Sequence, residues 1–137
     1  MTTLAQNEPR AYEDGIFNDL PVITNDIIYE GAAVGKSSGY ARPLVAGDDF
    51  MGFADRKVDN TGGSNGDKRV KVRQEGDIEI AVTGVTGVTN EGATVYASDD
   101  ATYTLSSTGN SAIGKITRHV SGTTCIVHFQ AKSRRSI

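Results

Sequence analysis

The sequence predicts an all-β protein: a small barrel or sandwich built from two similar halves, with an extended N-terminal arm. Three observations carry this expectation. The chain has 12 Val, 10 Ile and 14 Thr against only 4 Leu, and β-branched side chains, stiff at χ1, suit a pleated surface better than a helix. Glycine makes up 16 of 137 residues, above the usual ~7%, which implies many tight turns. Finally, one stretch of sequence recurs further along the chain.

Residues 1–26 read as the arm. Ala11-Tyr12-Glu13-Asp14-Gly15-Ile16-Phe17-Asn18-Asp19-Leu20-Pro21-Val22 sustains neither a period of 2 nor one of 3.6. Alone, such a segment cannot offset its ordering entropy. Yet Tyr12, Ile16, Phe17 and Leu20 are too apolar for a solvated tail, so the arm is expected to pack on its own barrel or on a partner. Deleting residues 2–22 is expected to leave a folded domain of nearly unchanged stability.

Residues 27–130 read as the β domain. Strands are expected at 27–34, 40–44, 50–58, 68–73, 77–82, 94–97, 103–105, 113–120 and 124–130. Alternation is clean in Arg69-Val70-Lys71-Val72-Arg73 and in Asp77-Ile78-Glu79-Ile80-Ala81-Val82, each with an apolar face inward and a charged face outward. Val72, Ile78, Ile80, Val95, Ile116, Val127 and Phe129 are the expected core. The polar run at 59–67 reads as a long hairpin loop, and residues 131–137 as a short basic tail.

The recurrence begins at Gly31-Ala32-Ala33-Val34. With Ser37 and Leu44, it matches Gly92-Ala93-Thr94-Val95, Ser98 and Leu105 at an offset of 61. Gly47, Gly52, Arg56 and Val58 then match Gly109, Gly114, Arg118 and Val120 at 62, and 68–74 falls against 124–130. Each half alone leaves an apolar sheet face uncovered, so two copies are expected to complete one core and hide edges.

Composition and charge exclude several functions. A chain of 137 residues suits one domain that buries about two-thirds of its extended surface. One cysteine, Cys125, forms no internal disulfide and builds no cysteine zinc site. No apolar run nears the ~18 residues of a membrane span. The N-terminus lacks a secretory pattern, so a soluble protein made in the cytoplasm is expected. The net charge of -3 argues against a bulk nucleic-acid binder. Charge is nonetheless blocked: 56–73 holds six bases and two acids, and 74–114 six acids and no base.

Reactive motifs fail on spacing. Gly35-Lys36-Ser37 lacks the P-loop glycine five residues earlier, since position 30 is Glu. Cys125 and His128 sit three apart in a strand and point to opposite faces, so they cannot pair as nucleophile and base. His119 and His128 have no third ligand at a suitable spacing. Asp48-Asp49 and Asp99-Asp100 fit turns. The expectation is no catalytic residue, no metal, no cofactor and no small-molecule substrate.

Four segments together resemble the capsid cement (head-decoration) proteins of tailed bacteriophages. They are Gly76-Asp77-Ile78-Glu79-Ile80-Ala81-Val82, Gly92-Ala93-Thr94-Val95-Tyr96-Ala97, Ile113-Gly114-Lys115-Ile116 and Cys125-Ile126-Val127-His128-Phe129. The resemblance covers about 27–130, and the long arm and the loop at 59–67 depart from it. It implies a non-enzymatic virion protein, trimeric, on the outer capsid surface, that stabilises the shell by bridging major capsid protein subunits. Tyr12, Ile16, Phe17 and Leu20 of the arm are then the expected capsid-binding residues. The alternative is an adhesin-like β module that binds carbohydrate or a host surface.

Overall fold

The computed structural model describes residues 5–11, 13 and 15–136. Among them the first half contains β1 (Phe17–Pro21), β2 (Ile27–Ile28), β3 (Ala33–Ser37), β4 (Tyr40–Pro43), β5 (Gly52–Ala54), β6 (Val58–Asp59) and β7 (Arg69–Arg73). The second contains β8 (Glu75–Ala81), β9 (Thr94–Ala97), β10 (Tyr103–Thr104), β11 (Ser111–Ser121) and β12 (Thr124–Gln130). The described residues hold no α-helix, only single 3-10 turns at Val88–Asn90 and Lys132–Arg134. The protein is all-β.

The two halves share one topology. The first sheet runs β1-β7-β5-β3-β4, and the second, read from its matching edge, runs β8-β12-β11-β9-β10. All named pairings are antiparallel, and β2 and β6 form a separate small ribbon beside the first sheet. Register repeats as well as order. Val34 faces Gly52 as Val95 faces Gly114, and Ala54 faces Val72 as Ile116 faces Val127. Each sheet curls until its two edges touch at one parallel bridge, Val22 with Ala41 and Thr83 with Thr104. One bridge is not a ladder, so these are coiled open sheets and not closed barrels.

The expected match of 68–74 to 124–130 is one residue out. Equivalent partners place Val70 with Cys125 and Val72 with Val127, an offset of 55. Strand side chains alternate with a period of 2, so a slip of one moves every apolar residue to the wrong face. Burial fixes the register: Val70, Val72, Cys125 and Val127 are all fully enclosed.

The segment 17–22 is not an arm but the missing edge strand of the first half. Leu20 faces Val70 as Ile80 faces Cys125, and Val22 donates to the Lys68 carbonyl as Val82 does to that of Thr123. Leu20 and Val22 are buried. The polar run at 60–66 is not a simple hairpin loop either, because β6 pairs with β2. It folds over residues 22–26: the buried Asn60 donates to the carbonyls of Ile23 and Ser64, and Thr24 binds Gly63 and Asn65. The arm therefore ends near residue 16, not 26, and deleting 2–22 cannot leave stability unchanged.

Two cores result. Leu20, Val22, Ile28, Val34, Met51, Val70 and Val72 fill the first half. The second core holds Val82, Val95, Ile113, Ile116, Val127 and Phe129, and takes in Ala33, Leu44, Phe50 and Phe53 from the first half. Phe129 meets Phe53 at 4.8 Å and Phe50 at 6.3 Å between ring centroids, both edge to face, an arrangement that the ring quadrupoles favour. Five of the seven expected core residues are buried; Ile78 and Ile80 are only partly so, because β8 lies at a sheet edge.

Glycine makes room where strands come close. A Cβ on Gly114 would stand 2.0 Å from the His128 carbonyl oxygen, and one on Gly52 2.3 Å from that of Arg73. The two sites are equivalent in the repeat.

Candidate functional site

The described members of the four expected binding residues do not form one surface. Tyr12 lies outside the described residues. Leu20 is buried in the first core and is closed to any partner. Ile16 is half-buried, its carbonyl taken by the Gln74 amide at 2.8 Å. Phe17, three residues from Leu20 in β1, points to the opposite, outer face, as strand alternation requires. Its ring lies 4.4 Å from the Lys71 ammonium and 4.6 Å from the Arg73 guanidinium, a cation–π arrangement.

Around Phe17 the outer face of β1 and β7 carries Arg69, Lys71 and Arg73, with Asp19 opposite Lys71 and Glu13 at the rim. None of the three cations forms an ion pair among the described residues. The sequence signal for this stripe is the unbroken alternation of base and valine in Arg69-Val70-Lys71-Val72-Arg73; the aromatic neighbour comes only with the pairing of β1 to β7.

The equivalent face of the second half is acidic. Glu75, Asp77 and Glu79 alternate along β8, and His128 of β12 stands opposite Asp77. The imidazole Nδ1 donates to Asp77 at 2.9 Å, and Nε2 lies 3.3 Å from Glu75. The hydrogen bond to Asp77, reinforced by Glu75, raises the His128 pKa above its ordinary value against a smaller opposing effect of burial. Glu75 is in turn held low, first by the Gln130 amide and then by His128 and Arg134.

Because the folded-state value of His128 is raised, its stabilising effect is full below about pH 6.5 and is lost as pH rises through the folded-state value. An NMR titration should give a His128 midpoint above about 6.5, lowered by Asp77→Asn. A midpoint no higher than that of free histidine would refute the pair.

The remaining groups lie in the core, in turns and in an ion pair. Cys125 is fully buried and burial raises its thiol pKa, which keeps it a neutral small apolar group. Lys36 and Ser37 end β3 at a two-residue turn, where Ser38 and Gly39 both have positive φ, 51° and 86°, the geometry of a type I′ hairpin. Asp48 takes a two-pronged bond from Arg42, at 2.8 and 3.0 Å. A Cβ on Gly35 would stand 2.4 Å from that carboxylate. Asp99 accepts from the amides of Ala101 and Thr102 and so shapes its turn.

The basic C-terminal segment is docked. Ala131 is buried, its amide donating to Gln74, while Lys132 bonds the Phe50 carbonyl and pairs with Asp49. The buried Gln74 also donates to the Gly15 carbonyl and accepts from Ser133. One side chain between β7 and β8 thus ties both terminal segments to the junction of the halves. No protein-family model and no curated protein sequence matches the chain.

Proposed function

We propose that the protein is a decoration protein of a tailed-bacteriophage capsid. It binds the outer surface of the shell in the virion as a homo-oligomer, a trimer, and bridges major capsid protein subunits. One observation carries the reading. Residues 5–11 are exposed and form no strand, and they precede β1, which lies at the edge of its sheet. An extended segment beside an edge strand can add main-chain hydrogen bonds and side-chain contacts to a neighbouring surface. The order of the sequence segments from 76 to 129, which resembles that of the cement proteins, supports the same reading. Its mechanism is mechanical. Contacts between neighbouring capsomers must break before the shell opens, and repetition over the lattice sums individually weak contacts.

The test is co-sedimentation of purified protein with undecorated capsids of its own phage. The full chain should pellet with them, and removal of residues 2–11 together with Phe17→Ala should reduce the pelleted fraction at least tenfold. Failure of the full chain to pellet would overturn the proposal.

A further inference from the structure

The equivalent outer faces of the two halves carry opposite charge, but on different strands: Arg69, Lys71 and Arg73 lie on β7, and Glu75, Asp77 and Glu79 on β8. Phe17 and Asp19 of β1 correspond to Asp77 and Glu79 of β8, and Arg73 of β7 corresponds to His128 of β12. Because strand order and register repeat, the two faces share one backbone framework. One presents Arg69, Lys71 and Arg73 around a half-exposed aromatic ring, and the other presents Glu75, Asp77 and Glu79.

We propose that the protein associates with itself head to tail, the β1–β7 face of one copy against the β8–β12 face of the next. Pairing of like faces would set Arg69, Lys71 and Arg73, offset only by Asp19, against the same cations, or Glu75, Asp77 and Glu79, offset by His128 and Arg134, against the same carboxylates, and such juxtapositions are unfavourable. Only the heterologous pairing satisfies both, and a contact of that kind closes into a ring or continues as a chain. Arg69 and Arg73 can each meet a carboxylate with two parallel hydrogen bonds. Phe17, held flat beneath Lys71 and Arg73, supplies the apolar centre that such an interface needs. Glu79 is in no ion pair among the described residues, so it is free to take a partner.

This inference rests on the self-association proposed above but not on binding to a shell, and it is tested without capsids. Sedimentation equilibrium of the full chain should show oligomers at about 50 mM salt that dissociate at about 500 mM, as the Debye length falls from roughly 14 Å to roughly 4 Å. Two charge-reversed variants, Arg69→Glu/Arg73→Glu and Asp77→Arg/Glu79→Arg, should each associate at least tenfold more weakly. Mixed in equal amounts, they should recover pairwise association, since each then meets a complementary face on the other, although a closed ring of three cannot alternate the two. A wild-type chain that is monomeric at low salt, variants that associate like wild type, or a mixture that stays dissociated would each overturn the head-to-tail contact. The salt series needs no substitution, so it decides the matter even if a variant does not fold.

Discussion

Deleting residues 2–22 is expected to collapse the first half of the molecule. The cut removes β1, its five paired positions along β7, and the buried Leu20 and Val22. Burial of two such side chains contributes about 1.5–3 kcal/mol each, and the lost ladder leaves Val70 and Val72 open to water. Asn60 also loses its bond to Ile23 through the displaced neighbouring segment. A loss of more than about 4 kcal/mol is a large part of the 5–15 kcal/mol that holds a typical domain. The melting temperature should fall by more than about 10 °C. Removing only residues 2–11, whose described part is exposed, should leave it within about 2 °C. Calorimetry of the two truncations distinguishes an edge strand from an arm. An unchanged transition after the longer cut would show that β1 contributes nothing to the fold.

Gly114→Ala should be nearly as damaging. Its new methyl group would stand 2.0 Å from the His128 carbonyl oxygen and 2.8 Å from the Phe129 Cα. These are backbone atoms in the middle of the second sheet, so relief requires β11 and β12 to move apart along their ladder. Overpacking of this kind usually costs about 1–3 kcal/mol and more where backbone must shift; a loss near or above about 3 kcal/mol is expected here. Gly87→Ala is the control, because a Cβ there meets nothing within 4 Å, and should change stability by less than about 0.5 kcal/mol. Equal denaturation midpoints for the two variants would contradict the close approach of β11 and β12.

Much of this architecture is legible in the sequence because one face of each strand is buried. Alternation marks β7, β8 and β12 directly, and the recurrence of Gly-Ala-x-Val marks equivalent strands β3 and β9. β1 escapes the same reasoning because Asn18, Asp19 and Pro21 interrupt it, and its order comes from β7 and from the loop at 60–66. A signal for it exists: Leu20 and Val22 precede Ile80 and Val82 by 60 residues, nearly the period of the repeat. Matching Gln74 with Gln130 sets β7 and β12 one residue out of register. Gln74 is instead equivalent to Phe129, a polar residue in an apolar slot, because the junction between halves needs its hydrogen bonds. Of the described residues expected to bind, Phe17 faces outward beside Lys71 and Arg73, whereas Leu20 is buried. The acidic and basic faces become visible only once the register shows which charges are neighbours.

The unequal division of the two cores has a consequence for synthesis on the ribosome. The first core is made entirely of residues between Leu20 and Val72, whereas the second borrows Ala33, Leu44, Phe50 and Phe53 from the earlier half. As the chain emerges N-terminus first, the leading half can complete its interior before the trailing half exists. It then presents two phenylalanines as a template on which the trailing half assembles, and residues 131–135 latch the product last. Assembly therefore has a built-in direction. A circularly permuted chain that begins at β8 would have to make its dependent half first, exposing an unfinished apolar surface for the whole time that its template is still being translated.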